Sequence, residues 1–184
     1  MLNVQKKLLM LAGTTIILSA CAPQVNLDTN TIYHSKLDYA YTPKEVIYAA
    51  ANRNLDTTVY GYPFGDDSVR SNFKSDLEQI LAKSKIAKIT EISTHSNISE
   101  RLPYKLILVY NQGDTLKGSE LCYGKVPSTY ALNSDNYIKL HAIFCRGDKA
   151  LSEIYGMTDA LNAQDKKFIK LTNDVVDVLL PELK

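Results

Sequence analysis

The chain has 184 residues, 45% of them hydrophobic, and its 21 Lys and Arg nearly cancel its 20 Asp and Glu, for a formal charge of +1. That length supports one sizeable core and strains to hold two independent domains. No basic block or basic helix face occurs, which argues against nucleic-acid binding and against electrostatic adhesion to anionic lipid heads.

In chain order, Lys6 and Lys7 precede a weak apolar run, Leu8 to Leu18, broken by Gly13, Thr14 and Thr15. The run is too short to span about 30 Å of hydrocarbon and reads as a signal peptide over 1–20. Small Ser19 and Ala20 suit a signal peptidase, and Cys21 supplies a thiol for lipid transfer. Leu18-Ser19-Ala20-Cys21 resembles the lipobox of bacterial lipoproteins. That resemblance implies a diacylglycerol thioether on Cys21, cleavage before it and acylation of the new amine; two or more acyl chains anchor stably. Ala22 stands where lipoproteins kept at the inner membrane commonly carry Asp, so the resemblance implies an outer membrane location facing the periplasm. Cleavage takes Lys plus Arg from 21 to 19 against 20 acids.

Residues 21–41 are expected to form the lipidated Cys21 and a tether of roughly 25 Å, unless Tyr33, Tyr39 and Tyr41 pack on the domain. A single α+β domain then spans 42–184. Thr42-Pro43-Lys44-Glu45 has the capping-box pattern for a helix to about Arg53, with Glu45 returning the capping bond. Thr57 to Tyr62 reads as a strand. Asp66 and Asp67 suit the start of a helix whose apolar stripe is Val69, Phe73, Leu77, Ile80 and Leu81. Ile89 to Ile92 is a possible short strand, and Tyr104 to Tyr110 suits a central one. Leu116 to Tyr130 is too mixed to assign. Tyr137 to Cys145 alternates, with Ile138, Leu140, Ala142 and Phe144 on one face. Arg146-Gly147-Asp148-Lys149 is a hairpin connection into Leu151 to Met157. A last helix, capped by Asn162, carries Phe168, Leu171, Val175, Val178 and Leu179 and stops at Pro181. This order predicts a two-layer α+β sandwich: a mainly antiparallel sheet of about four strands with helices over one face.

Cys122 and Cys145 remain after Cys21 is modified. In an exported chain an even pair favours a disulfide, which across about 23 residues constrains the unfolded state by roughly 3 kcal/mol. The alternative is a nucleophile or metal site at Cys145 with His141. A closed zinc site needs four ligands, and the other histidines, His34 and His95, lie in the tether and a loop, so no metal is expected. Asp66, Asp67 and Glu78 read as a cap and a solvated face rather than as acid and base. No nucleophile elbow or zinc-protease motif occurs, and the Arg146-Gly147-Asp148 tripeptide is a turn. No catalytic residue and no cofactor is assigned.

Twelve tyrosines and no tryptophan are unusual. Tyr60, Tyr62 and Phe64 at a strand end, with Tyr123 and Tyr130 flanking the disulfide loop, form a candidate binding surface. Gly61-Tyr62-Pro63-Phe64, Cys122 and Cys145 to Ser152 are similar to uncharacterised proteobacterial lipoproteins of comparable length. That similarity implies envelope placement and cysteine pairing, and no known activity. The leading function is a non-catalytic interaction module for an envelope protein, for which alanine at His141 is expected to do little. The alternatives are a small hydrolase or redox protein using Cys145 and His141, and a small-ligand carrier with a pocket between sheet and helices.

Overall fold

The computed structural model describes residues 30–50, 55–64, 70–84, 92–93, 104–130 and 137–181. Its elements in chain order are β1 (Thr31–Leu37), α1 (Pro43–Ala50), β2 (Leu55–Tyr60), α2 (Arg70–Leu81), β3 (Ile92–Ser93), β4 (Tyr104–Tyr110), α3 (Gly118–Cys122), β5 (Ile138–Arg146), β6 (Lys149–Thr158) and α4 (Lys166–Leu179). The strands form a six-stranded sheet in the order β1-β6-β5-β4-β2-β3. The class is α+β, as expected, but the sheet is larger and mixed. β2 runs parallel to both β3 and β4, whereas β4-β5, β5-β6 and β6-β1 are antiparallel.

The two strands that enlarge the expected sheet are its edges. Thr31–Leu37 belongs to the domain and not to a tether: it pairs along β6 from Met157 to Ser152. Tyr41 is buried, and burial pushes its hydroxyl up to about 12. The stretch between Cys21 and Thr31 therefore reaches at most about 35 Å. Cys21, Asp66, Asp67, Val69 and His95 lie outside the described residues.

Alternation assigns the two faces. Leu106, Leu108 and Tyr110 of β4 join Leu140, Ala142 and Phe144 of β5 in the main core, under α2 and α4. Phe73, Tyr110 and Phe168 meet at ring distances of 5.3 to 6.0 Å in its centre. Helix α4 lies across β1, β6 and β5, and the approach is close at Gly156. A Cβ there would sit 2.7 Å from Leu171 Cδ1. The buried stripe of α4 is Phe168, Leu171, Thr172, Val175, Val176 and Leu179, and Val178 is exposed. Its cap is Asp165, which accepts from the Lys167 N–H, rather than Asn162.

On the other face, Ile107, Val109, Ile143 and Cys145 are covered by Leu121 and Cys122 of α3. Helices thus pack on both faces, not one, although α3 is a single short turn. Glu45 does not close a capping box. Its carboxylate instead accepts from Arg146 Nη1 at 2.7 Å and from the Tyr104 hydroxyl, fastening α1 to β4 and β5.

Gly61 ends β2 with φ +78°, and a Cβ there would lie 2.4 Å from the Tyr110 carbonyl oxygen. Gly61→Ala is expected to cost more than about 1 kcal/mol. Gly147 also has positive φ, at +61°, but a Cβ there meets nothing within 4 Å. Gly147→Asn should therefore be close to neutral. Urea midpoints of the two variants against the parent would check this, and equal midpoints for Gly61→Ala and Gly147→Asn would refute it.

Candidate functional site

The second face of the sheet carries the chemistry. Cys122 and Cys145 are joined, with Cα atoms 5.7 Å apart, and are 3% and 0% exposed. A buried disulfide leaves no thiolate to attack a substrate and little access for a reductant. Four residues of strand also set Cys145 roughly 13 Å along β5 from His141, beyond hydrogen-bond reach. The two do not form a nucleophile and base.

His141 belongs to a different cluster. Gln112 Nε2 donates to Asp114 Oδ1 at 2.8 Å and to the Leu116 carbonyl at 2.9 Å, so the amide cannot be flipped without losing both bonds. Its Oε1 consequently faces His141 Nδ1 at 2.6 Å. On the opposite side His141 Nε2 lies 2.9 Å from Glu153 Oε1. Both ring nitrogens face acceptors, so both hydrogen bonds form only when the ring carries both protons. An imidazole bound in this way has no free nitrogen for general-base work. The Tyr155 ring stacks on it at 4.0 Å, with 13° between planes.

Glu153 is the hub. The same Oε1 accepts from the Gly118 N–H at 3.0 Å and from the Tyr155 hydroxyl at 3.1 Å. Burial works to raise its carboxyl, but the hydrogen bond and charge of His141, with the Gly118 and Tyr155 donors, outweigh it and bring the group down to about 2. Burial and the adjacent Glu153 carboxylate raise the Tyr155 hydroxyl in turn. Gly118 has little room, because a Cβ would stand 3.0 Å from the pinned Glu153 carboxylate.

Asp114 fixes the loop beyond β4. Its Oδ2 accepts from the Ser128 N–H at 2.6 Å and from the Ser128 hydroxyl at 3.0 Å. Slight burial opposes ionisation, but these donors, with the Gln112 amide and the Leu116 N–H, hold the carboxyl at about 2. Next to this network lies a cleft of about 320 Å³, walled by Tyr33, Tyr155, His141, Gln112, Lys139 and Leu116. Tyr33 stacks on Tyr155 at 6.0 Å and is 40% exposed.

The candidate aromatic surface divides. Tyr62 and Phe64 turn to the main core, edge-on to Phe73 at 5.3 and 5.9 Å. Tyr60 packs against the second cluster, and Tyr123, beside Cys122, is 76% exposed. Tyr130 is half-buried in the loop held by Asp114, and its N–H donates to the Asn111 carbonyl. The aromatic wall of the cleft comes instead from Tyr33 and Tyr155. A signal for it existed in the sequence: His141 falls on the less apolar face of β5, and Glu153 and Tyr155 are two apart on the next strand.

The fold and site define an α+β domain with the larger helices over one face of its sheet and, on the other, the short α3 and a buried hydrogen-bond network beside an open cleft. No family profile matches the chain, and no curated protein matches it. Two similar solved structures are of PelC from Paraburkholderia phytofirmans. A point variant of the PelC dodecamer in space group C2 has a TM-score of 0.43 at 11% identity, covering 82% of this chain and 98% of that one. The PelC dodecamer in space group P6 has a TM-score of 0.42 at 9% identity, covering 85% of this chain and 100% of that one. A likeness of this degree carries no functional argument.

Proposed function

We propose that this chain is a lipoprotein, anchored through Cys21 on the periplasmic side of the outer membrane, whose domain binds another envelope protein without catalysing a reaction. The binding surface is the cleft beside Tyr33 and Tyr155. The observation that carries this reading is the fixation of the cleft wall: Gln112, His141 and Tyr155 are each held by hydrogen bonds inside the domain. A wall already ordered loses little conformational freedom on binding, which is what a recognition surface needs. The pairing of Cys145 with Cys122, and the use of both His141 nitrogens, weigh against the hydrolase and redox alternatives.

Cys21→Ser is expected to release a folded protein from the membrane fraction and to abolish function. Fractionation with carbonate-washed membranes would check the first point. Retention of the variant in washed membranes would remove the lipid from the account.

A further inference from the structure

Among the described residues, β1 is an edge of the sheet and pairs with β6 on one side only. The Asp38 N–H donates to the Leu151 carbonyl at 2.9 Å, which turns the main chain of Asp38 toward β6. Main-chain groups alternate in direction along a strand, so Lys36 also faces β6, whereas Ser35 and Leu37 turn their N–H and C=O outward. Both of these residues are exposed. Proline, which blunts many sheet edges, is absent from Thr31–Leu37. A row of rings ends at the same edge. His141, Tyr155 and Tyr33 stand directly opposite one another on β5, β6 and β1. Their rings stack at 4.0 Å and then at 6.0 Å, and Tyr33, the last of them, is 40% exposed.

We infer that the envelope partner binds by adding an extended segment to the outer edge of β1, with an aromatic or other flat apolar side chain opposite Tyr33. This rests on the partner reading above and adds how the partner is held. Donors and acceptors two residues apart on an open edge are matched by another extended backbone, and an aromatic side chain across from Tyr33 continues the row of rings. The irregularity between Tyr33 and Ser35 interrupts the edge, so the backbone pairing is confined to Ser35 through Leu37 and Tyr33 contributes its ring. A second copy of this chain is the competing occupant. The register that joins Ser35 and Leu37 of one copy to Leu37 and Ser35 of the other sets the two Lys36 side chains directly opposite each other, and like charges so placed repel. The partner segment therefore differs from β1 and carries no Lys or Arg opposite Lys36.

The test is photocrosslinking of the full-length, lipidated protein in cells from a photoreactive residue at Thr115, which lines the cleft and leaves β1 intact. Leu37→Pro removes an outward N–H and keeps every bond to β6. It should lower the yield of the Thr115 adduct at least about tenfold. Leu37→Ala, which shortens the side chain but keeps the N–H, should hold the yield within about twofold. Ser35→Pro should repeat the loss, and urea midpoints equal to the parent's show that the proline variants are folded. Independently of any proline, a photoreactive residue at Ser35 should give an adduct of the same mass as the one from Thr115. An undiminished Thr115 adduct in a folded proline variant, or an adduct from Thr115 with none from position 35, overturns strand addition and leaves the partner surface standing. An adduct of two copies of this chain assigns the edge to self-pairing and overturns it likewise. No adduct from Thr115 in the parent overturns the partner reading itself, and this inference with it.

Discussion

Truncating Glu153 to alanine is expected to lower the unfolding free energy by about 1–3 kcal/mol, because it leaves the buried His141 Nε2 without its hydrogen-bond partner. The same change leaves the Tyr155 hydroxyl and the Gly118 N–H without their acceptor. His141→Ala should cost a comparable amount by leaving the carboxylate unpaired. Removing both partners together, as His141→Ala with Glu153→Ala, should cost clearly less than the sum of the two single losses, since neither group is then left buried and unmatched. Urea unfolding of the four proteins closes the cycle, and additive losses would show that the two side chains do not act as a pair. The pair also predicts a pH dependence. The folded Glu153 carboxyl lies at about 2, below the ordinary glutamate range. Its contribution is therefore complete above that range and is lost as pH falls toward 2. Between about pH 5 and pH 3 the parent should lose more stability than Glu153→Gln does. Asp38 and Asp114, lowered likewise, contribute equally to both proteins and cancel in the comparison.

Loss of the Cys122–Cys145 bond is expected to cost about 3 kcal/mol for a loop of 23 residues. For a domain of this size that corresponds to roughly 6–12 °C in Tm. Cys122→Ala with Cys145→Ala isolates the effect without burying a hydroxyl. Because the bond also staples α3 to β5, the variant should lose amide-exchange protection over Gly118–Cys122 before the rest of the sheet. In the folded parent the bond should resist mild reductant, both cysteines being buried. Maleimide labelling with and without urea would read this directly. Labelling of the native protein at the denatured rate would mean that α3 opens freely.

The strands with two apolar faces or clean alternation were legible. Tyr104–Tyr110 agrees with expectation residue for residue, and β5 and β6 differ from it by a few residues at their ends. The edge strand β1 was not. Thr31–Leu37 is exposed along much of its length, and the irregularity between Tyr33 and Ser35 breaks its period, so nothing distinguishes it from a tether. α3 is too short to show helical periodicity. The charge network was hidden by one residue. A regular hairpin from Arg146 and Lys149 sets Ile154 opposite His141, whereas the bulge beside Cys145 shifts the register and brings Tyr155 there instead. A one-residue slip moves every following side chain to the other face. That slip puts Glu153 and Tyr155 beside His141.

The claim on which this account depends is that the cleft face meets an envelope protein in the cell. The direct measurement is site-specific photocrosslinking of the full-length, lipidated protein, with the photoreactive residue at Tyr33 or Thr115 in the cleft, or at Val178 on the outer surface of α4. The account predicts one discrete adduct from both cleft positions, absent from position 178 and absent when Cys21 is Ser. Adducts of equal yield from all three positions, or none from the cleft in a folded and membrane-bound protein, would contradict it.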